Sequence, residues 1–215
     1  NQYRLVLKRE DTALYDMVND PYQLTDIFDT LPQVSDRMLN AYDTWINDVC
    51  KEGMSKVPIS VGYTLAPETR IEAHELNLNE GLAYFGKEGW ANDWITQWDS
   101  EEDTVKVAIR VRKKGNYAFE IQYDCTDSQL GSEIAISIQG KELRKEVTEA
   151  FTGTYISSPD RIRRKEVYEK TWGTMAMGSL DLKEGMSLLN LYAVNVAKDS
   201  VMHLKAIKIT FNGIP

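Results

Sequence analysis

Val105-Lys106-Val107-Ala108-Ile109-Arg110-Val111 and Tyr117-Ala118-Phe119-Glu120-Ile121-Gln122-Tyr123 decide the fold. In both runs Val, Ile, Tyr and Phe stand at every second position, the period of a strand with one buried face. Lys113-Lys114-Gly115-Asn116 separates them as a turn. Further along, Ile134, Ile136 and Ile138 alternate with Ala135 and Ser137. Leu189, Leu191 and Ala193 follow, and a last strand is expected from about Val201 to Phe211. Gln139-Gly140 and Lys183-Glu184-Gly185 punctuate these runs. Short alternating strands at near-regular spacing predict a mainly β domain, an antiparallel β-sandwich over residues 71–215.

Upstream the pattern changes. Tyr3, Leu5 and Leu7 share one face of a strand, Arg9-Glu10-Asp11-Thr12 reads as a polar turn, and Ala13 to Met17 reads as the returning strand. After Asn19-Asp20-Pro21, a helix is expected with Thr30 as N-cap and Pro32 in its first turn. Val34, Met38, Tyr42 or Ala41, Trp45 and Val49 form one apolar stripe at helical spacing, and Gly53 ends the helix. One hairpin and one helix bury little, so residues 1–53 form a small α+β segment whose stripe needs a partner surface. Residues 54–70, with Pro58, Gly62 and Pro67, read as an extended linker.

The chain has 215 residues, a net charge of −8 and 42% hydrophobic residues, which suits one large domain or a medium domain with an appendage. The negative charge argues against general nucleic-acid binding and against a polybasic membrane patch. No apolar run approaches about 18 residues, so no transmembrane helix is expected. Asn1-Gln2-Tyr3-Arg4-Leu5-Val6 is not a signal peptide, and the chain is expected to be a mature form or a piece of something longer. Cys50 and Cys125 are too few for a disulfide framework; two free thiols are the simpler reading, with a Cys50–Cys125 bridge as the alternative.

The chemistry-bearing candidates are few. Trp90, Trp94 and Trp98 fall within nine residues, interleaved with Asn92, Asp93, Thr96 and Gln97. Such a stretch is either a core nucleus or a stacking surface for a sugar, whose hydroxyls the neighbouring polar groups would bind. Trp90, behind Gly89, is the best exposed candidate, with Asn92, Asp93 and Trp94 beside it. Arg161, Arg163, Arg164 and Lys165 form the one basic cluster, either paired with Asp160, Glu166 and Glu169 or open to a sulfated polymer, because guanidinium forks match sulfate. His74 and His203 lack the spacing of a zinc site.

Two resemblances add to this. Leu14-Tyr15-Asp16, Asn19-Asp20-Pro21 and Thr25-Asp26, followed by a helix reaching Trp45-Ile46, resemble the C-terminal end of the sulfatase family, with Gln23 and Asp26 where Glu and Asn are common. The resemblance covers the first quarter of the chain. It implies a small subdomain packed on an upstream catalytic domain that hydrolyses sulfate esters with formylglycine and a divalent cation, in a periplasmic or extracellular protein. The chain itself carries no such nucleophile, so no catalytic residue is assigned. Ser157-Ser158-Pro159-Asp160-Arg161 fits the family's S-x-P-x-R only superficially, since Asp160 fills the fourth position and Arg163-Arg164-Lys165 follows. A turn is the better reading.

Trp98-Asp99, Asp103-Thr104-Val105-Lys106-Val107 and Gly115-Asn116-Tyr117-Ala118-Phe119-Glu120-Ile121-Gln122-Tyr123 resemble a strand pair of family-6-like and family-35-like carbohydrate-binding modules. Arg70 to Glu75 resembles their opening strand and Leu204 to Ile209 their closing one. This resemblance covers residues 69–215. It implies a jelly-roll, galactose-binding-like sandwich, a carbohydrate partner, and a structural Ca²⁺ site for which Glu72 and Glu75 are the candidate ligands. An independent glycan-binding module and a structural or oligomerising brace remain the alternatives to an accessory module of a sulfatase.

Overall fold

A computed structural model describes residues 2–8, 11–51, 53 and 56–213. The chain divides into two units, Asn1–Lys56 and Val57–Pro215.

The first unit is a hairpin and a helix. Strands β1 (Tyr3–Lys8) and β2 (Asp11–Asp16) pair antiparallel, Tyr3 opposite Asp16 and Lys8 opposite Asp11. Asp11 and Thr12 therefore belong to β2 rather than to the expected turn, whose Arg9 and Glu10 lie outside the described residues. Helix α1 runs Pro32–Val49. Its N-cap is Leu31, not Thr30, and no side chain caps it. Pro32 explains the shift: its ring keeps the preceding residue out of the helical region, and Leu31 accordingly sits at φ −125°. Ser35 is buried and donates its hydroxyl to the Phe28 carbonyl at 2.6 Å. After the helix, the Gly53 amide reaches the Cys50 carbonyl with φ +84°, a left-handed turn that suits glycine. Leu14 and Ala13 are buried, but the expected helix stripe is open: Tyr42, Trp45 and Val49 are all exposed, Trp45 by 57%.

The second unit is the sandwich. One sheet has the order β11–β10–β13–β8–β3, built from Lys141–Glu146, Glu133–Ile138, Gly185–Asn195, Thr104–Val111 and Ile59–Val61, with β5 (Asn77–Leu78) also on β8. The other has the order β12–β9–β14–β7–β6, built from Gly173–Leu182, Gly115–Asp124, His203–Gly213, Ile95–Thr96 and Ala83–Tyr84, with β4 (Glu68–Glu72) on β14. All pairings are antiparallel except β3 on β8. The alternation read from the sequence sets the core. Val105, Val107, Ile109 and Val111 of one sheet and Tyr117, Phe119, Ile121 and Tyr123 of the other are buried in one hydrophobic cluster. Each large side chain so placed contributes about 1.5–3 kcal/mol relative to exposure. The β10–β11 hairpin turns on Gln139 and Gly140 at φ 53° and 70°, the paired left-handed residues that match strand twist.

Residues 54–70 depart from the linker expectation. From Ile59 the chain is already in the sandwich as β3, with Val61 in the core, and Glu68 opens β4. A three-residue strand is too short to show a period, and its partner β8 is distant in sequence.

Candidate functional site

Two loops meet over the outer surface of the β9–β14 sheet, residues 79–94 and an arm over residues 151–172. The arm is tied down at its root, where Cys125 bridges Phe151 and Tyr155 bridges Lys170. A Cβ on Gly86 would fall 2.6 Å from Val167 and 2.9 Å from the Asp93 carboxylate, so the loops approach closely where only glycine fits.

Their contact is a stack of rings and one cation. Phe85 lies on Trp94 with centroids 4.3 Å apart and planes 17° from parallel. Trp172 meets Trp94 edge-on at 5.3 Å. The Lys170 ammonium sits 4.3 Å from both indole rings and 2.8 Å from Asp124 Oδ2. Lys170 is only 8% exposed. A buried ammonium needs an anion and further partners; here Asp124, at the end of β9, supplies the charge and the indole faces supply the rest. Asp124 Oδ2 also accepts the Gly153 amide at 2.9 Å. His203 opens β14 directly opposite Asp124, its Nδ1 3.9 Å from Oδ1, beyond hydrogen-bond reach. Burial and the neighbouring Lys170 hold the His203 imidazole below its ordinary value, against the pull of Asp124. Three buried ring nitrogens here, on Trp94, Trp172 and His203, have no hydrogen-bond partner.

A second lysine fixes the first loop. β14 bulges between Leu204 and Ala206, which places Lys205 out of register. Its ammonium donates to the Asp93 carbonyl at 3.1 Å and lies 3.3 Å from Glu72 Oε2. The Asp93 carboxylate accepts the amides of Gly86 and Trp94.

Trp94 is 2% exposed and lies outside the main core cluster, in the ring stack; Trp98 is in the core. Trp90 and Asn92 are half-buried, Asn92 with φ 69°, and Asp93 is fully buried. Trp94 and Asp93 thus support the surface and do not present it. The exposed ring is Phe85, 52% accessible, which the spacing of the tryptophans gave no reason to choose. Trp172, Lys170 and Asp124 were likewise unmarked; they lie far from the cluster in sequence.

Arg164 pairs with Asp160, donates to Ser158 Oγ at 3.3 Å and lies over the Tyr168 ring, while Arg161 and Arg163 are exposed. Ser158 also accepts the Asp160 amide, the expected turn. Glu72 and Glu75 do not fit a calcium ion as placed. Glu72 is flanked by the cations of Arg70 and Lys205, and Glu75 accepts the Glu72 amide at 2.8 Å. Burial raises the Glu72 carboxyl, but the Arg70 hydrogen bond and the charges of Lys205 and Arg70 outweigh it and hold the group below its usual value. Among the described residues no cluster of three or more His, Cys, Asp or Glu side chains could hold a metal. Cys50 and Cys125 are free, and burial first, then Asp124 and Asp127, pushes the Cys125 thiol up to about 11. No helix among the described residues is long and apolar enough to cross a membrane.

This geometry defines the class of molecule as a β-sandwich carrying a loop-borne aromatic surface at one sheet. No family model and no curated protein matches the chain. Among solved structures, it is similar to Podospora anserina GH26-CBM35 β-(1,4)-mannanase, at 13% identity over 69% of this chain and 28% of that one, with a TM-score of 0.46. It is similar to a family 35 carbohydrate binding module from Clostridium thermocellum, at 12% identity over 66% of this chain and 96% of that one, with a TM-score of 0.46. It is also similar to the mosquito-larvicidal Cry4Aa toxin from Bacillus thuringiensis, at 17% identity over 68% of this chain and 24% of that one, with a TM-score of 0.48. The chain thus spans about a quarter of the mannanase and of the toxin. Such likenesses assign no function, since one fold serves many.

Proposed function

We propose that residues 57–213 form a non-catalytic accessory module that binds glycans through the surface around Phe85. One observation carries the reading: Phe85 is half exposed while its other face is stacked on the buried Trp94. A planar apolar ring, held still from below, is the surface a sugar ring stacks on, and rigidity lowers the entropic cost of binding. Asn92 and the half-buried Trp90 lie in the same loop to meet hydroxyls. Titration with a panel of neutral and sulfated polysaccharides tests the reading. Phe85→Ala is expected to abolish binding while lowering the melting temperature by only a few degrees, the loss of one half-exposed ring from the stack on Trp94. Unaltered binding by that variant would refute the site, and absence of binding across the panel would refute the function.

A second reading concerns the first unit. Its helix exposes Tyr42, Trp45 and Val49 on one stripe, which favours a role as the C-terminal subdomain of a larger, sulfatase-like protein, with the module as its accessory in the periplasm or outside the cell. The sulfate-ester chemistry would then belong to the other domain. Aryl sulfate turnover by this chain alone would refute that division of roles.

A further inference from the structure

We infer that the tip of the arm, residues 155–168, is a docking strip for the anionic groups of a polysaccharide, sulfate esters or carboxylates; this rests on the glycan-binding reading above. The tip is tied together by its own contacts. Arg164 fastens Asp160, Ser158 and Tyr168 together, and the Arg164 amide donates to the Tyr168 hydroxyl at 3.3 Å. At the root, Ile156 and Thr171 amides pair with the Glu169 and Thr154 carbonyls at 2.9 Å each. Tyr155, Ile156, Ser158, Asp160 and Tyr168 line an open cavity of ≈ 350 Å³.

One cation of the basic cluster therefore serves the loop, and the others do not. Arg161, Arg163 and Lys165 are exposed and have no ion pair with any described residue. Glu166 and Glu169, the expected internal partners, are not engaged with them. Three unneutralised cations within five residues stand out in a chain of net charge −8, where mutual repulsion would favour pairing. Between them Ile162 is 84% exposed, and Tyr155 offers an open ring at the cavity. Guanidinium forks are the chemistry that recognises the sulfate or carboxylate of a charged sugar, and the open Tyr155 ring lies on the same arm. The same arm carries Lys170 beneath Trp94, which joins the strip to the Phe85 surface through one continuous segment.

The test compares dextran, dextran sulfate and carboxymethyl-dextran, with inorganic polyphosphate as a non-sugar polyanion, against the full chain and the variant Arg161→Gln/Arg163→Gln/Lys165→Gln. The full chain is expected to prefer at least one charged dextran about tenfold over dextran, the yield of three modest exposed contacts. Which charged dextran wins identifies sulfate or carboxylate. The variant is expected to lose that preference, keep its binding to dextran and melt at the same temperature. A preference that survives in the variant overturns the proposal, as does equally tight binding of polyphosphate. Equal binding of charged and neutral dextran overturns the strip and leaves the Phe85 surface standing. Binding of none of them overturns the strip, and the Phe85 surface is then judged by the wider polysaccharide panel.

Discussion

Replacing Lys170 with methionine isolates the interaction on which the loop surface rests. Methionine fills similar space and keeps contact with the two indoles, so the packing loss is small. The charge is what disappears. Asp124 is 10% exposed at its side chain and would keep only the Gly153 amide, since His203 stands 3.9 Å away. Breaking a buried pair from one side costs about 3–5 kcal/mol. The two cation–π contacts at 4.3 Å add to this, while methionine–aromatic contact offsets part. A net loss of about 3–4 kcal/mol is expected, which for a unit of this size lowers the melting temperature by roughly 6–16 °C. Chemical denaturation followed by tryptophan fluorescence reads it. The double variant Lys170→Met/Asp124→Asn removes the stranded charge and is expected to recover more than half of the loss. A single variant within about 1 kcal/mol of the parent, or a double variant no more stable than the single, would refute the argument that the pair is desolvated and that Asp124 is the group left stranded.

His203 has a folded-state value below 6.5, so between that value and 6.5 the unfolded chain takes up more protons and stability rises with pH; His203→Gln should flatten this part of the stability–pH curve, and an unchanged slope would count against it. Cys50 is partly exposed and Cys125 fully buried with a raised thiol, so maleimide should label Cys50 in the native chain and Cys125 only after unfolding, as peptide mass mapping would show. Trp45→Glu with Val49→Lys should leave the melting temperature of the chain within about 1 °C while reducing binding of a hydrophobic dye; a large drop in stability would mean the helix stripe is already covered.

The sandwich was legible because its long strands obey a strict period of two. β8, β9, β10 and β13 place apolar residues inward at alternate positions with few exceptions. What escaped has physical reasons. β11 reads Lys141-Glu142-Leu143-Arg144-Lys145-Glu146, with one apolar residue, because an edge strand is guarded by charge. β12 has two glycines and two methionines among its ten residues and carries a bulge between Ala176 and Gly178, which breaks its alternation. The candidate site was half legible. The tryptophan cluster drew attention to the loop that carries Phe85, but a count of tryptophans cannot say which ring is uppermost. That depends on Lys170 and Trp172, brought under Trp94 by an arm some 80 residues away that has almost no regular structure.

The residues that carry the sulfatase resemblance have local structural reasons to be what they are. The Asp16 carboxylate accepts the Val18 and Asn19 amides, Asp20 accepts the Thr25 amide at 2.8 Å, and Asp26 accepts those of Leu14 and Phe28 at 2.9 Å each. Together they fold the stretch after β2 into a fixed series of turns ahead of α1. A pattern of this kind specifies a shape, whatever chemistry the rest of a protein performs, so it bears on architecture more than on sulfate esters. The helix stripe argues independently. A helix that stayed in water would not need Tyr42, Trp45 and Val49 at one azimuth, and the absence of acidic residues in its first turn and basic ones in its last leaves it little stability of its own. The open stripe of the helix contrasts with the sandwich, whose inward apolar residues close into one core.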